Sequence, residues 1–169
     1  RTRQAAEDGT LSIMVGGSSE DFATLRPLLA HAATDITHCG PVGCGQVVKI
    51  LNNMVLFETV VALSEALTLG RAAGVDADLL FDTLSKGSAD SFALRNHGMK
   101  AMLPDTFPEG AFPTNYALKD VSYALDLATL TGFKAHGAEL ARSRMEKARD
   151  AGLDNAYFPA LIRVMDRAQ

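Results

Sequence analysis

Apolar and polar positions alternate briefly near the start of the chain, then give way to a helical period that lasts almost to its end. Leu11, Ile13 and Val15 alternate with Thr10, Ser12 and Met14 before Gly16-Gly17 stops the run, the pattern of a short strand that the chain enters almost immediately. Ser18, with Asp21 three residues on, is an N-cap signature. It predicts a helix with Phe22, Leu25, Leu28 and Leu29 on its apolar face and Pro27 as a kink. Thr34 to His38 has the β-branched character of a second strand. One strand-helix-strand unit cannot make a doubly wound sheet alone.

After Gly40-Pro41 the period turns helical. No proline interrupts Gly43 to Ala73, and Val47, Ile50, Leu51, Met54, Phe57, Val60, Val61, Leu63 and Leu67 put apolar residues on more than one side. Some 30 residues at 1.5 Å each span about 45 Å, so this segment reads as a central spine buried around much of its circumference. Gly74 stops it, and Asp76 caps a helix carrying Leu79, Leu80 and Leu84. A further helix is predicted over Ser91 to Met102. Pro104, Pro108, Gly110 and Pro113 mark a loop. Helical patterning resumes with Tyr116, Leu118, Val121, Leu125 and Leu127, again from Ala135 to Ala151, and last from Tyr157 to Met165 with Pro159 in the first turn.

Composition narrows the class. With 169 residues, 47% apolar and 21% charged, the chain has enough hydrophobic material for a folded domain and is short for a two-domain enzyme. The N-terminus leads into no signal-peptide core, and no uninterrupted apolar run reaches membrane-spanning length, so a soluble, cytoplasmic protein without a membrane partner is expected. A net charge of −4 with no basic stripe argues against nucleic acid. Cys39 and Cys44, five apart with only His38 beside them, match no metal ligand set and are expected to be free thiols. No metal site is expected.

The polar residues of the long helix carry most of the chemistry. Lys49 and Asn53 are four apart and share a face, with Gln46 a turn earlier. They are either a solvated edge with Lys49 snorkelling, or a cleft in which Lys49 moves a proton and Asn53 anchors an anionic or hydroxylated substrate. Gly40-Pro41-Val42-Gly43-Cys44-Gly45 has the spacing G-x-x-G-x-G, the reverse of the dinucleotide fingerprint, and reads as a tight turn bringing a helix N-terminus near a ligand. His97 and His136 read as satisfied or solvated, Ser88, Ser91, Arg95 and Asn96 as a capped surface helix or a cleft wall, and Glu65 as a structural hydrogen-bonding group.

Gly40-x-x-Gly43-x-Gly45-x-x-x-Lys49-x-x-x-Asn53 resembles the catalytic signature of the β-hydroxyacid dehydrogenases, the group of 3-hydroxyisobutyrate dehydrogenase, tartronate semialdehyde reductase and the more distant 6-phosphogluconate dehydrogenase. The stretch Gly9 to Gly17 is similar to the family's segment just before its last Rossmann strand-and-helix unit, and Phe112 to Asp120, ending Leu118-Lys119-Asp120, to its C-terminal Lys-Asp motif. The resemblance implies Lys49 as the acid/base residue, Asn53 with Gly43 and Gly45 on the substrate, and Lys119 and Phe112 on an NAD or NADP cofactor. Asn52 stands where the 6-phosphogluconate branch carries a histidine, which favours a small hydroxyacid.

The implied architecture is mostly α. Residues 40–169 form a helical substrate and dimerisation domain around one long helix, preceded by a strand-helix-strand remnant of a Rossmann-type domain over 1–39. The glycine fingerprint and the segment gripping the substrate carboxylate are expected ahead of residue 1. The implied enzyme is an NAD(P)-dependent oxidoreductase interconverting a small β-hydroxyacid and its semialdehyde, working as a homodimer or higher oligomer, with this portion inactive alone. The alternative is a helical dimerisation module without activity of its own.

Overall fold

The computed structural model describes residues 3–165. The fold is mostly helical with one two-stranded parallel sheet. Two compact units divide it, Arg1–Asn52 and Asn53–Gln169. They part at Asn52/Asn53, and the extreme ends of both ranges lie outside the described residues.

In the first unit, α1 (Arg3–Glu7) precedes β1 (Leu11–Val15), which corrects the expectation that the chain enters a strand at once. The reason is local: Gln4, Ala5, Ala6 and Glu7 are strong helix formers, and Gly9, at φ +64, ends the turn. Then come α2 (Ser19–Leu29) and β2 (Ala33–His38). The strands pair in parallel from Ser12↔Asp35 to Val15↔His38. The Ser18 hydroxyl accepts from the Asp21 N–H at 3.0 Å as its spacing predicts, and α2 runs through Pro27 without burying a residue.

α3 runs from Cys44 to Ala72, within a residue of its sequence-predicted ends. Within the second unit it buries Asn53, Phe57, Val60, Val61, Leu63, Ser64 and Leu67, one broad face at helical spacing, while Val55 and Leu69 stay exposed. Burial around much of its circumference is therefore not what this chain alone provides. By length and composition α3 also reaches the range of a membrane-crossing helix, with a mean hydropathy of 1.5 in its most apolar stretch. An uninterrupted apolar run is thus not needed to reach that range, because Asn and Ser dilute an apolar helix without charging it. The packed Phe57–Leu67 face is that of a core helix.

The second unit continues with α4 (Ala77–Leu84), capped by the Asp76 carboxylate, which accepts from the Leu79 N–H at 2.8 Å. A nine-residue π-helix, Leu94–Met102, stands where an ordinary helix was expected, entered through a Ser91 hydroxyl that accepts from the Leu94 N–H. Next come α5 (Thr114–Leu130) and α6 (His136–Ala148). A π-type turn at Arg149–Leu153, which bends at Gly152 with φ +82, ends α6 three residues before the expected Ala151. The chain closes with a 3-10 helix, Phe158–Val164, that has Pro159 in its first turn. The core gathers Phe57, Phe81, Leu94, Val121, Met145, Phe158 and Leu161, all without accessible surface. The proline-marked loop is stapled: Arg163 donates through Nε and Nη2 to the Asp105 carboxylate at 3.0 and 2.9 Å, and its guanidinium lies over Phe107.

Candidate active site

Within the first unit the carboxyl end of the parallel sheet meets the start of α3 through bare backbone. A Cβ on Gly45 would stand 2.5 Å from the Met14 carbonyl oxygen, and one on Gly16 would stand 2.7 Å from that of Pro41. No residue with a side chain fits either position without moving main chain. The Gly17 N–H donates to the Gly40 oxygen at 2.9 Å, and the His38 imidazole, stacked on Phe22, bonds the Gly17 oxygen through Nε2 at 2.9 Å. Gly40 and Gly43 take φ of +110 and +96, the left-handed region that glycine serves. The segment is therefore the tight turn its spacing predicts. Around Gly17 and Gly43 a side chain would find open space. Lys49 follows on the second turn of α3, exposed.

Within the second unit Asn53 is buried, with 5% exposure. A carboxamide at that depth needs a partner. Its Nδ2 donates to the Asp120 Oδ2 at 2.7 Å, a bond across 67 residues of chain. The other carboxylate oxygen faces the Lys119 ammonium at 3.5 Å, and Lys119 also lies over the Tyr116 ring, 4.5 Å from its centre. The structure thus brings Asn53 and Lys119 to the two oxygens of one residue, Asp120, for which the sequence reading assigned no role. Its adjacency to Lys119 in the Lys-Asp motif was the only signal.

Phe112, expected beside a cofactor, packs its ring against Phe57 and Phe158 with centroids 6.0 and 5.3 Å away. It sits at the edge of the core just ahead of α5. The Phe158 N–H donates to the Phe112 oxygen and the Thr114 N–H to the Ala156 oxygen, both at 3.0 Å, so the head of α5 is clamped by the strand-like segment before the closing helix.

A second buried polar pair lies in that wall. His97, 7% exposed among Phe92, Tyr157 and Phe158, bonds the Tyr157 hydroxyl through Nδ1, while its Nε2 is buried without a partner. Burial pulls the imidazole down to about 4 and pushes the tyrosine up to about 12, so both are neutral near pH 7. His136 instead meets Glu139 in the open at 3.0 Å. Arg95 forks onto Asp90 at 2.8 and 2.7 Å on the surface, which accounts for it structurally. A groove of about 510 Å³ between α3 and α4, lined by Glu58, Thr59, Ala62, Leu63, Leu84 and Ala89, contains none of the expected site residues.

Residues 43–165 match a family model described as NAD-binding of NADP-dependent 3-hydroxyisobutyrate dehydrogenase, and residues 1–40 one described as the NAD binding domain of 6-phosphogluconate dehydrogenase. The 2-(hydroxymethyl)glutarate dehydrogenase of Eubacterium barkeri is 32% identical over 164 residues, covering 97% of this chain and 54% of its own length. Human mitochondrial 3-hydroxyisobutyrate dehydrogenase is 35% identical over 132 residues, covering 75% and 39%. A solved structure of the Mycobacterium tuberculosis 3-hydroxyisobutyrate dehydrogenase with L-serine superposes with a TM-score of 0.86 at 30% identity, over 97% of this chain and 58% of that one. The chain spans about half the length of the curated relatives it matches.

Proposed function

The chain belongs to the β-hydroxyacid dehydrogenase family, and from that premise we propose that it supplies the acid/base and substrate-holding part of an NAD(P)-dependent oxidoreductase interconverting a small β-hydroxyacid and its semialdehyde. The observation that carries this reading is Asn53. A carboxamide four residues after Lys49 on α3 is sunk to 5% exposure and held by a carboxylate, which a merely solvated helix edge would not require.

The backbone of the first unit suits a dinucleotide, and the resemblance assigns Lys119 and Phe112 of the second unit to the same cofactor. Gly17 and Gly43 leave open backbone beside the carboxyl end of β1 and the positive N-terminal end of α3, the kind of place where open α/β sheets hold nucleotides. Lys119 offers a cation, and Phe112 stands at the head of the helix that carries it. When bound, the nicotinamide supplies the hydride acceptor or donor. In oxidation, Lys49 takes the proton of the substrate hydroxyl. In reduction, its ammonium returns that proton to the carbonyl oxygen. Asn53 hydrogen-bonds the same oxygen-bearing group, and Gly43 and Gly45 allow close backbone approach. The relatives are nearly twice as long, so we assign tight cofactor binding and turnover to an enzyme that pairs this chain with a nucleotide-binding portion.

Replacing Lys49 in that enzyme decides the matter. Lys49→Ala is expected to lower kcat by about 10²- to 10⁴-fold with a smaller change in KM. Lys49→Arg should fail to restore it, because a guanidinium does not give up its proton. An unchanged kcat in Lys49→Ala removes Lys49 from the chemistry.

A second reading, self-association through the helical unit, is favoured by Leu130 and Phe133, 84% and 68% exposed beside the turn between α5 and α6. It is compatible with the first. Sedimentation of the Leu130→Ser, Phe133→Ser double variant should show a smaller species than the unaltered protein, and an unchanged mass counts against this face.

A further inference from the structure

We propose that His38 is a positioning residue within the first unit: its Nε2–H fixes the peptide that follows Gly17, and so keeps the bare Gly17 backbone open to the cofactor. The inference rests on the reading of Gly17 and Gly43 as backbone that suits a dinucleotide, and it adds the side chain that holds this backbone in place.

Two turns leave the carboxyl end of the sheet, Gly16 to Ser18 between β1 and α2, and Cys39 to Gly43 between β2 and α3. Most of what joins them is main chain. The Cys39 N–H donates to the Val15 oxygen at 2.7 Å, and the Gly17 N–H to the Gly40 oxygen at 2.9 Å. His38, the last residue of β2, adds a side chain to this seam and reaches back 21 residues to the Gly17 oxygen at 2.9 Å. A carbonyl oxygen only accepts, so Nε2 carries the hydrogen and Nδ1 is the bare nitrogen of the neutral ring. Both backbone groups of Gly17 are then held, its N–H by Gly40 and its C=O by His38.

Gly17 needs the second hold. With no side chain it scarcely limits its own torsions, and the peptide after it turns over easily. Turning over exchanges the edges of that peptide, because a trans peptide points its C=O and N–H in opposite directions. Held by His38, the Gly17 oxygen faces the imidazole, and the Ser18 N–H lies on the other edge. Released, the oxygen is free to swing outward, where it would repel the electron-rich oxygens of a dinucleotide. The ring is itself fixed. It is half-buried and stacks on Phe22 of α2, with centroids 4.9 Å apart and planes 15° from parallel. His38 therefore meets two demands, a donor for Gly17 and a flat ring for Phe22.

His38→Gln and His38→Phe separate the two. Glutamine keeps a donor and loses the ring; phenylalanine keeps the ring and loses the donor. In the 169-residue chain, the Gly17 N–H is expected to exchange about tenfold faster in His38→Phe and close to the unaltered rate in His38→Gln. An unchanged rate in His38→Phe overturns the proposal. Protected β1 and β2 amides in both variants would show that the sheet has formed, and their loss in His38→Phe makes His38 a folding residue and overturns it too. In the enzyme carrying this chain, His38→Phe should raise KM for the nicotinamide nucleotide by about five- to tenfold and change kcat less, with His38→Gln recovering most of the loss. A lower kcat at unchanged KM overturns the proposal, as does His38→Gln as poor as His38→Phe. Gly17→Val tests the underlying reading by itself, since a Cβ there meets nothing within 4 Å and the side chain fills only the open space. It should raise the same KM with β1 and β2 exchange unaltered. An unchanged KM in Gly17→Val overturns the reading of Gly17 as cofactor backbone, and the inference with it, even where Gly17 exchange responds to His38→Phe.

Discussion

The two compact units contain helices that start alike and pack oppositely. Ser18 caps α2 and Asp76 caps α4 with equivalent bonds of 3.0 and 2.8 Å to the backbone N–H three residues on. Beyond the cap, α4 sends Phe81 into a core where it has no accessible surface, while α2, with Phe22, Leu25, Leu28 and Leu29 along it, buries nothing. Capping is written locally and succeeds in both places. Burial depends on what the rest of a unit supplies, and a two-stranded sheet supplies little. Stability should therefore be concentrated in the second unit, and substitutions should show it.

The largest effect is expected where rings interlock. Phe158 touches Phe57, Phe112, Tyr157 and His97 with centroids 5.2 to 5.4 Å away and has no accessible surface. Phe158→Ala should cost about 3 to 5 kcal/mol in urea unfolding, because the surrounding rings cannot collapse into the gap. A cost below about 1 kcal/mol would mean that the second unit is not the stable one.

The next effect comes from the buried imidazole beside it. His97 is held at about 4 in the folded chain against an ordinary 6.5, so between those pH values the unfolded chain binds a proton that the folded chain refuses. Stability is fully present above pH 6.5 and is lost as pH falls toward 4. The fall from 6.5 to about 4 corresponds to a loss on the order of 3 kcal/mol. Urea titrations at pH 7, 5.5 and 4.5 should show that slope, and His97→Gln should flatten it. A His97→Gln variant with the same slope would assign the acid sensitivity to other groups.

These two residues also mark how far the sequence could be read. Local signals carried well: the Ser18 and Asp76 caps, the extent of α3 and the place of Pro159 all follow from neighbours within one or two turns. The π-helix was not legible, since over nine residues apolar spacing does not separate its wider turn from an ordinary one. His97 was expected to be satisfied or solvated, yet it is buried with one nitrogen unpaired, because its surroundings come from Phe92 nearby and from Tyr157 and Phe158 some 60 residues on. The same limit explains Asp120. Lys49 and Asn53 stand out from their spacing on one helix, but the bond that gives buried Asn53 its carboxylate partner crosses 67 residues, and nothing in the local pattern announces it.

In the first unit the tightest point is backbone against backbone. Gly45→Ala would press a Cβ to 2.5 Å from the Met14 oxygen and 3.0 Å from the Gly16 nitrogen, neither of which can swing aside as a side chain would. A loss of about 1 to 3 kcal/mol is expected, and it should appear as faster amide exchange in β1 and β2 with the second unit unchanged. Exchange that quickens equally in α5 and α6 would show one cooperative body and remove the contrast between the units.

The smallest effect tests the contrast from its other side. Leu28, on α2, is 67% exposed, so truncating it removes little apolar surface that folding had taken from water. Leu28→Ala should change the unfolding free energy by no more than about 0.5 kcal/mol, and alanine's better helix propensity offsets part of even that. The same change at Leu161, which has no accessible surface, should cost about 2 to 5 kcal/mol. Equal costs at the two leucines would mean that α2 is covered in solution by something beyond its own unit, and the apolar face of α2 would then have to be read as an interface.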